Sequence, residues 1–317
     1  MQKIIVIGGL NIDFLGVGVN RIVGKGELGY GGEFDIKPGG KSRNIAQMIS
    51  NQMNTGEVTM IGKTAKDKYG LYKIPLDSLK QSGVDTENII INESGKYKPG
   101  VALIPVDKNG NNQIYVLPGI NNSFSASDLE QKQDIFEKIG KNNGLLVLSL
   151  ELPLETAIYG IKLANKYGLK VILDSGGMIQ GVNYSQLLNQ KIFLIKPNEQ
   201  ETEILTGIKV TDFETARIAS KKFLKYGIEN VLITVGEKGA YYFSNNKEKH
   251  YKVPDININK TQKDETGCGD QTIATISSYL AKGEHLDYSI KKGILSGTLQ
   301  FYRTGATPLN KKDLEVN

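Results

Sequence analysis

Short apolar runs alternate with longer segments of helical period along most of the chain. Continuous runs of this kind are typical of strands that are buried on both faces. Regular βα alternation predicts an α/β fold, a doubly wound and mostly parallel sheet with helices on both faces. The runs are Ile4–Ile7, Val58–Ile61, Leu145–Leu150, Val171–Leu173, Ile192–Ile195 and Val231–Val235.

Local signals place several helix boundaries. Ser127–Glu130 and Thr211–Glu214 have the spacing of capping boxes, so we expect helices to begin there. Gly168 and Gly227 follow two helical patterns and predict where those helices end.

Two segments break the βα rhythm. Residues 12–38 are rich in glycine and lack a helical period, and residues 96–117 contain two β-like runs around the turn Asn109-Gly110. Together these segments predict a small β-sheet lid. The rest of the chain, residues 1–11, 39–95 and 118–317, would form the α/β core. The β-like runs of the second segment are Val101–Val106 and Gln113–Leu117.

Composition narrows the class of protein. A chain of 317 residues with 39% hydrophobic content can bury a large core. Its 39 basic and 34 acidic residues give a net charge of +5 and are scattered, which does not indicate nucleic-acid binding. The single cysteine excludes an internal disulfide, and no apolar stretch approaches the roughly 20 residues of a membrane helix. We therefore expect a soluble cytoplasmic enzyme that uses neither membrane nor nucleic acid.

The segment Asp264–Asp270 carries the clearest chemical signal. It is rich in glycine and precedes the helical pattern Gln271–Leu280, so its backbone amides would bind an anion at a helix N-terminus. Asp270 could then act as the general base of a phosphoryl transfer. The alternative is a glycine loop flanked by carboxylates without catalysis. The amides of this predicted anion hole belong to Gly267, Cys268 and Gly269.

A second glycine motif, Pro38–Asn44, also precedes a helical pattern. With other segments in order, the two motifs resemble those of the ribokinase-like carbohydrate kinases of the PfkB superfamily. The resemblance covers almost the whole chain. The matching segments are Gly39–Asn44 (GGKxxN), Lys196–Glu201 (KPNxxE), Thr234–Gly239 (TxGxxG), Asp264–Asp270 (DTxGAGD) and Arg303–Ala306 (RxGA).

The resemblance implies ATP-dependent transfer of the γ-phosphoryl group to a primary hydroxyl of a small sugar. It also implies where the acceptor binds, because Asn11 and Asp13 follow the first strand, as ligand-binding residues do in such sheets. The alternatives are an ordinary turn for Asp13, a helix terminus for Asn44 and a solvated carboxylate for Glu151. The implied acceptor site is Asn11, Asp13, Gly40, Lys41, Asn44 and Glu151.

For the nucleotide, the resemblance implies Asn198, Thr234, Gly236 and Gly239. Asn198 and Glu201 would hold Mg²⁺ largely through water, and the alternative for this pair is a helix cap with a surface glutamate. Asp264 and Thr266 match positions at which relatives bind an activating monovalent cation, here K⁺. The lid would also provide a homodimer interface.

Two residues depart from the family pattern. Arg43 replaces a small residue and could bind an anionic substrate, although we expect it to point to solvent or to pair with a lid carboxylate. Cys268 replaces alanine, and the helix N-terminus could lower the pKa of its thiol.

The sequence disfavours several other classes of protein. The segment Ile7–Asn11 lacks the dinucleotide-binding G-x-G-x-x-G spacing, and no P-loop motif occurs. Two histidines with one cysteine make a zinc enzyme difficult to build. Gly100–Ile104 and Pro118–Asn122 resemble ribokinases and favour a ribose-like pentose. The alternatives are a nucleoside kinase, a sugar-phosphate kinase and a non-catalytic sugar or nucleoside sensor.

Overall fold

The structure is a computed structural model that describes residues 2–256 and 263–315. Met1, residues 257–262 and residues 316–317, which the predicted core includes, lie outside the described residues. The strands are β1 (Ile4–Ile7), β2 (Asn11–Val19), β3 (Gly31–Gly39), β4 (Val58–Ala65), β5 (Ile89–Asn92), β6 (Gly100–Asp107), β7 (Tyr115–Leu117), β8 (Leu145–Leu148), β9 (Lys170–Asp174), β10 (Leu194–Lys196), β11 (Asn230–Thr234), β12 (Ala240–Ser244) and β13 (Glu248–Tyr251).

The helices pack around these strands and include both short and long examples. They are α1 (Lys41–Ser50), α2 (Lys73–Gln81), α3 (Ala126–Glu130), α4 (Gln133–Gly140), α5 (Leu154–Lys166), α6 (Ser185–Leu188), α7 (Glu199–Thr206), α8 (Phe213–Lys225), α9 (Cys268–Ala281) and α10 (Leu286–Phe301). None of the helices in the described part of the chain is long and apolar enough to cross a membrane.

The large sheet has the strand order β13-β12-β11-β10-β9-β8-β1-β4-β5. All of its pairings are parallel except those that add β12 and β13. Alternate residues of β1 enter two separate hydrophobic clusters, with Ile5 and Ile7 in one and Ile4 and Val6 in the other. Because strands of this sheet are buried on both faces, the doubly wound fold predicted from the continuous apolar runs is confirmed.

Some predicted boundaries are wrong. The strand expected at Ile192–Ile195 is β10, which begins at Leu194, and the strand expected at Leu145–Leu150 ends at Leu148. Because β5 and β13 lie at the two edges of the large sheet, where burial is incomplete, their sequences carry weaker signals.

Both predicted capping boxes are misplaced. The first helix is capped by Ser125, whose hydroxyl accepts the Asp128 amide at 3.2 Å. The second is capped by Asp212, whose carboxylate accepts the Thr215 amide at 2.8 Å. In each case an overlapping pattern of the same spacing supplies a suitable oxygen. Gly168 does follow α5 with a positive φ, as predicted.

A second, four-stranded sheet has the order β3-β2-β6-β7. Its β6 contains the first predicted β-like run and its β7 forms the last part of the second. Gly110 has the positive φ of 85° that the Asn109-Gly110 turn requires. Strand β7 begins at Tyr115 instead of Gln113. Within residues 12–38, β2 covers residues 12–19 and β3 covers residues 31–38, where glycine had obscured the strand pattern.

The two faces of the small sheet differ. Asp13 pairs with Lys37 and Ala102, so these three residues share one face. The opposite face carries a row of apolar side chains that are largely exposed. Its exposed members are Phe34, Leu103, Tyr115 and Leu117, beside a stacked Phe14–Phe34 pair.

Candidate active site

Helices α1 and α9 both begin at tight glycine turns. Gly40 caps α1 with φ 95°, and a Cβ there would lie 2.8 Å from the carbonyl oxygen of Gly9. Gly267 caps α9 with φ 78°, and a Cβ there would lie 2.9 Å from Cα of Ala306. Both positions therefore need glycine for conformation and for space, and the two helices begin in one region, where Asn44 of α1 bonds to Asp270 of α9.

Asp270 lies at this meeting point and is only 4% exposed. Its Oδ2 accepts a hydrogen bond from Asn44 Nδ2 at 2.9 Å, and its Oδ1 lies 3.7 Å from Lys41 Nζ. The negative charge of Asp270 is the main reason why the pKa of Lys41 is raised. The structure thus brings together three predicted site residues from two motifs that are more than 200 residues apart.

Asp13 and Glu151 lie beside this cluster. A Cβ at Gly39 would come within 1.9 Å of Asp13 Oδ1, so the missing side chain makes room for the carboxylate. Burial raises the pKa of Asp13 to about 6, and the charge of Arg43 opposes this shift. Burial likewise raises the pKa of Glu151, whose Oε2 accepts the Lys41 backbone amide at 2.8 Å.

Asn121 is a site residue that sequence reasoning missed. Its Nδ2 donates to Asn11 Oδ1 at 2.8 Å, and its Oδ1 accepts the amide of Leu10 at 3.3 Å. These bonds fix the side chain of Asn11, which is buried. The only sequence signal was the position of Asn121 within Pro118–Asn122.

Ser42 anchors the first turn of α1. Its hydroxyl is fully buried, donates to the carbonyl of Ile7 at 2.8 Å and lies 2.7 Å from the hydroxyl of Ser149. A Cβ at Gly8 would collide with Ser42 Oγ at 2.1 Å. The helix that carries Lys41 and Asn44 is therefore fixed directly to the end of β1.

Arg43 does not point to solvent, so that part of the expectation is wrong, whereas its charge does face a carboxylate of the predicted lid, Asp13. The side chain is 2% exposed, because it folds back against the end of β3. Its Nη2 donates to the carbonyl of Pro38 at 2.8 Å and its Nε to that of Gly39 at 3.3 Å. The guanidinium thus bonds within the chain and interacts with the Asp13 carboxylate through charge.

Asn198 and Glu201 form a capping box at the start of α7. Asn198 Oδ1 accepts the Glu201 amide at 2.8 Å, and Glu201 Oε2 accepts the Asn198 amide at 3.0 Å. The hydroxyl of Ser175 also donates to Glu201 Oε2 at 2.8 Å. The alternative of a helix cap is therefore realised, but the glutamate is partly buried and tied to the neighbouring strand end.

The other predicted nucleotide residues lie at the end of β11 and in the turn that follows it. The Thr234 amide donates to the carbonyl of Pro197 at 2.9 Å, which brings Thr234 beside Asn198. Gly236 begins a short 3₁₀ turn with φ 54°, and a Cβ there would meet open space. Gly239 ends the turn, where a Cβ would lie 2.0 Å from the carbonyl oxygen of Tyr251.

A cavity of about 530 Å³ adjoins this turn through Tyr251 and Lys252. Its volume falls within the range of small-molecule sites. Apolar side chains of α10, Ile294 and Leu295, form part of its lining, together with Lys291. The sequence did not predict this cavity, because β13 and α10 meet only in the folded chain.

Lys196 is a second residue that sequence reasoning missed as a site residue. Its Nζ lies 2.8 Å from Asp174 Oδ2, and both residues are buried. A Cβ at Gly269 would lie 3.3 Å from this ammonium group, so the ion pair is beside the start of α9. Burial acts to lower the pKa of Lys196, but the charges of Asp174 and Glu201 outweigh it and raise that pKa.

Asp264 ties its motif to the Arg303–Ala306 turn. Its Oδ1 accepts the Thr266 amide at 2.8 Å, and its Oδ2 accepts the Gly305 amide at 2.7 Å.

For Cys268 the expectation of a lowered thiol pKa is wrong. Burial, followed by the charge of Asp264, raises that pKa to about 12, so the thiol is a poor nucleophile.

A carboxylate at a helix N-terminus, facing a lysine and an asparagine from a second helix, is the arrangement of a phosphotransferase that acts on an alcohol group. Residues 1–313 match the profile of the pfkB family of carbohydrate kinases, and the chain belongs to this family.

The relatives agree with this membership. The ribokinase of Staphylococcus aureus is 30% identical over 306 residues, covering 96% of this chain and 95% of that protein. The deoxyribokinase of Salmonella typhi is 29% identical over 294 residues, covering 93% of this chain and 90% of that protein. The structure of Arabidopsis thaliana ribokinase complexed with ribose and ATP is 26% identical, covers both chains completely and superposes with a TM-score of 0.82.

Proposed function

We propose that this protein is an ATP-dependent kinase that transfers the γ-phosphoryl group to a primary hydroxyl of a small sugar, with a ribose-like pentose favoured. The observation that carries the proposal is the buried Asp270, held between Lys41 and Asn44 at the start of α9. The ribokinase and deoxyribokinase relatives support a pentose as the acceptor.

Asp270 would take the proton from the attacking hydroxyl. Lys41 lies close enough to attract the carboxylate and to face a phosphoryl oxygen, since its ammonium is a point charge. The backbone amides of Gly267, Cys268 and Gly269 would bind the transferring group, with the positive end of the α9 dipole behind them.

The acceptor would lie between these groups and the small sheet. Asp13 would receive two of its hydroxyls, while Asn11, Gly40, Asn44 and Glu151 complete the pocket. The small sheet, built from residues 12–38 and 96–117, would act as a lid that excludes water from the transfer.

The nucleotide would bind along Asn198, Thr234, Gly236 and Gly239, with its base in the neighbouring cavity. Mg²⁺ fits this site because both hydrogen bonds described for the Glu201 carboxylate fall on Oε2, so Oε1 is available to a water of the hydrated ion. When bound, Mg²⁺ neutralises part of the negative charge of the phosphates.

K⁺ would bind at Asp264 and Thr266. The use of ATP favours a cytoplasmic location.

A nucleoside acceptor is the second candidate, because the ribose moiety would make the same contacts. A sugar phosphate gains no support from Arg43, since its guanidinium is bonded within the chain. A non-catalytic sensor of the same fold would bind both ligands without ATP turnover.

Replacing Asp270 with Asn keeps the shape of the side chain but removes the base. We expect kcat to fall by about 10²- to 10⁴-fold in a coupled assay of ADP release with ribose. Asp77→Asn, the same change at an exposed position of α2, is the control and should keep the wild-type rate. Near-wild-type turnover by a folded Asp270→Asn variant would show that another residue is the base. If the wild-type protein did not turn over ATP with any sugar or nucleoside, the non-catalytic sensor would be favoured instead.

The Asp13 carboxylate should make acceptor binding depend on pH. Because its pKa is about 6, it is ionised at neutral pH and becomes protonated as the pH falls, so the acceptor KM should rise below pH 6 while the ATP KM changes little. Asp13→Asn should raise the acceptor KM roughly tenfold or more, since charge-assisted hydrogen bonds contribute about 1.5–3 kcal/mol each. It should also remove this pH dependence. An effect mainly on the ATP KM would place the sugar pocket elsewhere.

Activity should require Mg²⁺ and respond to K⁺. A chelator should abolish turnover, because the charges of the phosphates are then not neutralised. At constant ionic strength, KCl should give a higher rate than NaCl if Asp264 and Thr266 hold the monovalent ion. Equal rates in the two salts would remove the potassium site and leave the magnesium site in place.

The exposed apolar face of the small sheet should form a homodimer interface. Apolar patches of this kind commonly mark interaction surfaces. Leu103→Glu should convert a dimer to a monomer in size-exclusion chromatography with light scattering. Ile218→Glu, at an exposed apolar position on α8, is the control and should leave the mass unchanged. A wild-type protein that is monomeric at micromolar concentration would contradict this interface.

A further inference from the structure

Arg43 is the largest of the fully buried side chains and lies in the second motif between Ser42 and Asn44. A buried guanidinium is costly unless its donors are bonded and its charge is balanced. Here the balancing charges are those of Asp13, Asp270 and Glu151, all of which belong to the candidate site. Arg43 therefore contributes to the electrostatics of the site, although it is not among the residues proposed to bind the acceptor or the phosphates.

The donors of Arg43 bond in two directions. Nε and Nη2 donate to the carbonyls of Gly39 and Pro38, which are the last residues of β3. Nη1 donates to Gln47 Oε1, and Nη2 also donates to Asn44 Oδ1. The planar fork of an arginine thus ties the end of a lid strand to the first turns of α1, which an ammonium group has no geometry to reproduce.

The bond to Asn44 determines how its amide is oriented. A guanidinium has only donors, so it faces the amide oxygen, and the amide nitrogen must then point the other way. That nitrogen donates to Asp270 Oδ2 at 2.9 Å. A flipped amide would bring NH₂ against the guanidinium and an oxygen against the carboxylate, which are both repulsive contacts.

We propose that Arg43 is a positioning residue: it fixes the amide of Asn44 so that Asn44 holds the Asp270 carboxylate, and it fastens the end of β3 to the same helix. The inference rests on the proposed kinase function. Arg43 acts through Asn44 and does not touch the acceptor or the phosphates. Replacing Arg43 should therefore lower the rate of phosphoryl transfer more than it lowers the affinity for either ligand.

The first test is Arg43→Lys, which keeps the charge and most of the stem but removes the fork. We expect kcat to fall by about tenfold to 100-fold, the effect of a small misplacement of a catalytic group, with the ATP KM within about twofold of wild type. Arg217→Lys makes the same change on the surface of α8 and should leave kcat unchanged. A wild-type kcat for a folded Arg43→Lys variant would overturn the inference.

The second test separates positioning from general loss of structure. Asn44→Ala is measured alone and combined with Arg43→Lys, because residues that act as one unit give non-additive effects. We expect Arg43→Lys to lower kcat less than about twofold when Asn44 is already absent. If it lowers kcat by the same factor in both backgrounds, Arg43 does not act through Asn44.

Folding is followed by near-ultraviolet circular dichroism and thermal unfolding. Should Arg43→Lys not fold, Arg43→Gln takes its place in the same comparison, because the amide of Gln can donate one bond to Asn44 Oδ1. The two hypotheses fail in different ways. A wild-type protein without phosphoryl transfer removes the proposed function and this inference with it, whereas an active wild type with additive variants removes this inference alone.

Discussion

The structure depends on accommodating a carboxylate where water is nearly excluded. Asp270 is buried at the start of α9, and an isolated carboxylate at such a depth would be strongly destabilising. Three features offset that cost: the helix dipole, the ammonium group of Lys41 and the amide of Asn44. Two of the three come from α1, so the two helices must begin at the same place.

That meeting constrains the backbone around it. The hydroxyl of Ser42 fixes α1 to the end of β1, and the small residues Gly8 and Gly40 leave no side chain in the way. Asp13 enters the space beside Gly39 for the same reason. Because the pKa of Asp13 is higher in the folded protein than its ordinary 3.8, the group favours folding less as the pH rises from about 4 to 6. The site therefore accepts a cost in stability at neutral pH.

How much the sequence predicts depends on how local each feature is. The parallel strands of the core are continuous apolar runs, and the residues of the two glycine motifs do converge, so both were predictable. Asn121 and Lys196 were not, because each acquires its partner only through tertiary contacts, with the start of β2 for Asn121 and with the end of β9 for Lys196. Overlapping polar patterns misplaced the caps at Ser125 and Asp212, since any short oxygen-bearing side chain at the right spacing can cap a helix.

Arg43 and Cys268 show why local chemistry alone misleads. A helix N-terminus lowers a thiol pKa when the thiol is exposed to the amides, but here burial and three neighbouring carboxylates dominate. An arginine beside a sugar pocket suggests an anionic ligand, but the carbonyls at the end of β3 bond to it first. In both cases the outcome is decided by burial and by the folded positions of groups only a few residues away, which the sequence alone does not show. The charge of Arg43 is thus balanced by carboxylates of the protein before any ligand arrives, so this residue is no reason to expect an anionic acceptor.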